Sequence, residues 1–148
     1  MREAGYGVMA CAVAVAGAAT LAGCAAPAQE PSEPWDEPDD YTYEATITVF
    51  GPTAGTWRVT VRDRDVVDVE PLDATAEYEA SRETWTGAEL FPTLVEVVET
   101  YNLVVMGDPH VAVLEEDEDG APVRVELDPD ESTSDDEYLI EVSEVAVP

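Results

Sequence analysis

The 148-residue chain has no lysine, one histidine and two cysteines. It sets 34 acidic residues against six arginines, for a formal net charge of −28. Such a chain repels phosphate backbones, which excludes nucleic acid as a partner. A single histidine, His110, excludes a histidine-based metal cluster. It follows Asp108-Pro109 at the start of a strand-like stretch, and no G-x-S-x-G sequence supplies a serine nucleophile. His110 is therefore read as a surface residue. With so many acids, carboxylate pairs arise by chance and carry no weight as acid–base couples. Cys11 and Cys24 both lie near the N-terminus, so the rest of the chain has no disulfide framework and must be held by its core. The acidity favours solubility, cation binding or a basic partner. It fits a uniformly acidic proteome equally well.

What the sequence does have begins at the N-terminus. Residues 6–23, YGVMACAVAVAGAATLAG, are small, apolar and uncharged. The run is short and alanine-rich for a spanning helix, which takes about 20 residues and bulkier side chains. A short apolar core ending in small residues is the pattern of a secretory signal. Leu21-Ala22-Gly23-Cys24 at its end resembles the lipobox of a bacterial lipoprotein signal. The resemblance implies cleavage before Cys24, with Leu21, Ala22 and Gly23 in the peptidase subsites and a thioether-linked diacylglycerol on Cys24. Each buried methylene is worth about 0.8 kcal/mol, and one acyl chain alone holds only marginally, so two or three chains are needed for a lasting anchor. Removing residues 1–23 removes Arg2 and Glu3 together, which leaves the charge at −28.

Residues 25–40, AAPAQEPSEPWDEPDD, mix four prolines with acids. Such segments stay extended, so 24–40 is expected to be a disordered tether. Trp35 is its exception. It either docks on the domain and marks the true start, or is a stray aromatic; docking is preferred.

From Tyr41 the pattern alternates. Tyr41, Tyr43, Ala45, Ile47 and Val49 share one face of a strand, and Trp57, Val59 and Val61 share that of the next. GPTAG at 51–55 and RDRD at 62–65 read as turns, and a third strand ends at Pro71. Residues 72–85 are irregular or weakly helical. TGAELFPTLVEVVETYN, 86–102, has helical spacing, with Thr86 and Glu89 placed as a capping box. Pro92 either kinks this helix or is its first residue. HVAVLEE, VRVEL and YLIEVSEV give three more strands, and Asp119-Gly120 suits a hairpin turn. The expectation is an α+β domain over 41–148. Its antiparallel sheet of about six strands carries one main helix, in the order βββ-α-βββ.

The chain resembles an uncharacterised family of exported bacterial lipoproteins with a domain of unknown function. The residues that carry this are Trp35 before YTY at 41–43, VTVRDRDVVDV at 59–69, AELF at 88–91, DGAP at 119–122, and LDPDESTSDDEYLIEVSE at 127–144. Many members have a Cys-x-Cys pair near the end of the first strand. Here Val49, Phe50 and Gly51 stand there, so any redox or metal role of that pair is absent. The resemblance implies a fold and a location and no activity.

Two acidic loops remain. Glu115, Asp117 and Asp119 precede Gly120, with Glu126 six residues later, which is calcium-loop spacing without the flanking helices. A hairpin turn with solvated acids is the preferred reading. DPDESTSDDE at 128–137 gathers Asp128, Asp130, Asp135 and Asp136, which with Asp117 and Asp119 are the weak candidates for a hard cation. The expected protein is a non-enzymatic lipoprotein without a cofactor, anchored through Cys24 to the outer face of the cell membrane. It is expected to be monomeric and to act by contact with an envelope protein. The alternative is an envelope module that binds calcium weakly through the acidic loops.

Overall fold

The computed structural model describes residues 30–33, 35–82, 85–133 and 135–148. The expected signal segment, Leu21, Ala22, Gly23 and Cys24 lie outside the described residues. Six strands follow the alternation of the sequence: β1 (Tyr41–Val49), β2 (Gly55–Arg62), β3 (Asp65–Pro71), β4 (Val111–Glu116), β5 (Pro122–Asp128) and β6 (Tyr138–Ala146). They form one antiparallel sheet in the order β3-β2-β1-β6-β5-β4. The tightest hairpin joins β2 to β3. Asp63 (φ 50°) and Arg64 (φ 66°) both take positive φ, the geometry that matches the twist of the flanking strands.

The expected α+β class with one main helix is corrected to a mostly β fold with, among the described residues, two short helices. These are α1 (Ala74–Ala80, 7 residues) and α2 (Leu94–Val105, 12 residues), beside strands of up to 9 residues. Two causes shortened the expected helix and added another. Pro92 has no N–H to give, so residues 87–90 form only a 3₁₀ turn, and Thr86 makes no side-chain cap. The helix begins after Pro92, where Thr93 and Glu96 form the capping box: Thr93 N donates to Glu96 Oε2 at 2.8 Å. It then runs on through Val105. Upstream, Asp73 caps α1 by accepting from Ala76 N at 2.8 Å and also ties down Thr56 N at 2.9 Å.

Both helices lie on one face of the sheet, α1 against β2 and β3, α2 against β4 and β5. The core is built there from Tyr41, Tyr43, Ala45 and Ile47 of β1, Trp57, Val59 and Val61 of β2, Val125, Leu127 and Ile140, and from α2 Leu94, Val97, Val98, Tyr101 and Val105. Burial of each large side chain contributes about 1.5–3 kcal/mol. Trp57 stacks on Trp85 with centroids 4.9 Å apart, and Phe91 closes on both edge-on.

The second half of the expected tether lies on the domain, so the boundary drawn at Tyr41 moves back at least to Glu30. Tyr101 Oη donates to Glu30 O at 3.1 Å, and Asn102 holds Ser32 through both its backbone groups at 2.7 and 2.9 Å. Trp35 does dock, edge-on to Tyr41 at 5.6 Å. Asp39 and Asp40 then clamp the β2–β3 turn, with Arg64 Nε donating to Asp39 Oδ1 at 2.8 Å and Asp63 N to Asp40 Oδ1 at 3.1 Å. Proline-rich sequence without a hydrophobic pattern reads as free chain. Here hydrogen bonds and one aromatic contact order it.

Candidate functional site

Among the described residues no helix packs on the other face of the sheet. Alternation places Thr42, Glu44, Thr46 and Thr48 of β1 there, with Arg58 and Thr60 of β2 and Glu141 of β6. Arg58 bridges three strands: its Nη2 meets Glu44 Oε1 at 2.6 Å and its Nη1 meets Glu70 Oε2 at 2.5 Å. These two carboxylates hold the Arg58 guanidinium above the ordinary arginine range. Arg124 repeats the device across β4 and β5, at 3.3 Å from Glu115 and 2.5 Å from Glu126. Between the two ladders Glu44 and Glu144 face each other across β1 and β6, a like-charge pair that weakens the sheet locally. The face carries mainly polar and acidic side chains on β1, β2 and β6.

The end of the sheet where β1 and β5 stop gathers His110, Asp128 and the loop 129–137. His110 Nε2 stands 3.9 Å from Asp128 Oδ2, and Nδ1 stands 4.0 Å from Glu131 Oε2, both too long for hydrogen bonds. His110 is half-exposed, as a surface residue is. Beside this corner, α2 and the loop wall a cavity of about 370 Å³ lined by Val97, Thr100, Val104, Leu127, Pro129, Asp136 and Tyr138. Burial pushes the Tyr138 phenol up to about 12. Asp136 Oδ1 and Asp128 Oδ1 are buried and have no hydrogen-bond partner among the described residues. The cavity is mostly apolar, and Asp136 is its one acidic lining residue.

The cation candidates are not brought together. Asp117 spends its Oδ1 on its own hairpin, accepting from Asp119 N and Ala121 N at 2.9 Å each. Asp130 does the same for the next loop, accepting from Ser132 N and Oγ and from Thr133 Oγ1. The Ser132 hydroxyl and N–H hold its carboxyl below the usual carboxylate range. Asp119 is exposed in the β4–β5 turn, and Asp135 takes a φ of 81° in the 129–137 loop. Among the described residues no three His, Cys, Asp or Glu side chains converge to hold a metal ion, and no helix is long and apolar enough to cross a membrane.

The residue that sequence reasoning missed is Glu37. It is 6% exposed, and its Oε1 accepts from Tyr41 Oη at 2.7 Å and from Val95 N at 3.3 Å, while Tyr41 Oη accepts from Leu94 N at 2.9 Å. The two side chains thus take up free N–H groups of the first turn of α2. Burial first, then the bond to Glu37, drives the Tyr41 phenol far above its ordinary range. The one signal for this in the sequence is Trp35, whose docking carries its neighbours in.

Residues 34–147 match the model of a family of unknown function, DUF6174. The chain belongs to that family. No curated protein and no solved structure matches it. The DUF6174 match begins inside the docked arm rather than at Tyr41, so it takes in Trp35 and Glu37 together with the sheet they support. It covers the open face, both acidic loops and the cavity, and it ends one residue before the last.

Proposed function

We propose that this DUF6174 protein is exported, lipid-anchored through Cys24 and non-enzymatic, and that it works as a monomer by contact with an envelope protein on the outer face of the cell membrane. The observation that carries the anchor is Leu21-Ala22-Gly23-Cys24 closing an uncharged run of 18 residues, 6–23. In favour of contact is the sheet face that no described helix covers. Two of its arginines, Arg58 and Arg124, are each shared between two glutamates, which leaves the face acidic and suited to a basic partner surface. Cys24→Ala tests the first part: detergent partitioning should move the protein from the membrane fraction to the aqueous phase, and equal partitioning sinks the anchor. A photo-crosslinking residue at Thr46 or Glu141 tests the second. It should trap one discrete partner in cells that the same residue at Glu77 on α1 does not.

The alternative, a weak calcium module, draws on the two unpartnered oxygens of Asp128 and Asp136. It ranks second because Asp117 and Asp130 are engaged in their own turns. Calorimetric titration with Ca²⁺ separates the two readings.

A further inference from the structure

The outer side of α2 carries two exposed apolar side chains at helical spacing, Leu103 (68% exposed) and Met106 (72%). They stand on one side of the helix, three residues apart. In a chain of net charge −28, residues 100–107, TYNLVVMG, hold no charge, and the acids of α2, Glu96 and Glu99, belong to its first half. The same end of α2 receives the start of the described chain: Tyr101 binds Glu30, and Asn102 binds Ser32. Only five residues, Ala25 to Gln29, separate that attachment from the anchoring position Cys24, and none is charged. Fully extended, the six steps from Cys24 to Glu30 span at most about 20 Å.

We propose that Leu103 and Met106 form a membrane seat, a spot on α2 that rests in the bilayer carrying the anchor. This rests on the reading of Cys24 as lipidated. A patch this small does not hold a free protein on a bilayer. Tethering changes the problem, because a short link presents the patch to the surface at an effective concentration on the order of millimolar. Glu99, one turn before Leu103, and Asp108, two residues after Met106, bound the uncharged stretch in sequence, so the contact is with the interface and upper acyl chains. The open face of the sheet lies on the side away from α2, so seating α2 turns the acidic face outward, toward a partner.

The test uses the full lipidated chain in phosphatidylcholine vesicles with brominated acyl chains. The expected mature chain has no free thiol, so one cysteine can carry a fluorophore, at Thr100 beside the seat or at Thr46 on the open face. The expected result is loss of most of the emission at position 100 and none at 46. In the Leu103→Ser/Met106→Ser variant, emission at 100 should return to the level at 46 while the protein still floats with the vesicles. Equal emission at 100 and 46 in a chain that floats overturns the seat and leaves the anchor standing. Quenching at 100 that survives the double serine variant also overturns it. A chain that does not float overturns the anchor and the seat together.

Discussion

Replacing Glu37 by alanine is a severe test of the fold described here, because composition alone puts this residue in free chain. The substitution removes the acceptor of the Tyr41 Oη–H and Val95 N–H bonds. Tyr41 is fully buried, so its hydroxyl proton is left without a partner in a dry site. A buried donor left unmade costs about 1–3 kcal/mol, and loss of an acidic group at a helix N-terminus adds about 0.3–1 kcal/mol. The sum expected for Glu37→Ala is about 1.3–4 kcal/mol. Glu37→Gln keeps an oxygen acceptor and gives up only the charge, so about 1 kcal/mol is expected. Urea unfolding followed by tryptophan fluorescence reads both. With a slope of about 2 kcal/mol per molar, mid-range for a small domain, the alanine midpoint should fall by roughly 0.7–2 M. A chain shortened to begin at Tyr41 should be destabilised at least as much. An alanine variant within about 0.5 kcal/mol of the parent, the scale of a surface change, refutes the docked arm.

Other perturbations probe other parts. Gly55 has φ +113°, and a Cβ there would stand 2.5 Å from Ala76 N, so Gly55→Ala should cost about 3 kcal/mol, measured in the same urea titration. Burial raises the phenols of Tyr41, Tyr43 and Tyr138, the last to about 12. A raised folded pKa means their contribution is complete below the unfolded value of about 10 and is lost as pH climbs past it, by up to about 1.4 kcal/mol per pH unit for each. Circular dichroism against phenolate absorbance should show unfolding and ionisation together above that pH, with Tyr138→Phe moving the midpoint upward. The net charge of −28 repels itself more in the compact state, and screening shrinks the reach from about 10 Å at 0.1 M to about 3 Å at 1 M salt. Melting temperature should therefore rise with NaCl, and Ca²⁺ at matched ionic strength should add nothing. An extra shift at low calcium would point to the 128–137 loop, with Asp136→Asn as its check.

The strands were legible because each is half-buried and therefore alternates. Tyr41, Tyr43, Ala45 and Ile47 could face one way only, and Asp63-Arg64 had to turn tightly between two alternating runs. The helices were harder. Thr86-x-x-Glu89 and Thr93-x-x-Glu96 have the same spacing, and Pro92 decides between them by breaking the first and merely preceding the second. Helix α1 buries only Ala76, so it leaves no periodic trace. The arm was hidden because its order comes from backbone bonds to Tyr101 and Asn102 and from one carboxylate, none of which makes a pattern. The orphan oxygens of Asp128 and Asp136 depend on the path of a loop in space, which no local spacing encodes. For Cys24 the reverse holds: its signal is wholly local, and it lies outside the described residues.

The central claim is that Cys24 is the lipidated first residue of the mature protein. Mass spectrometry of the N-terminal peptide from membrane-purified protein tests it directly. The account predicts a peptide beginning at Cys24 and carrying a diacylglycerol with a further acyl chain. An unmodified Cys24 inside a longer peptide, or a mature chain that begins elsewhere, would contradict it.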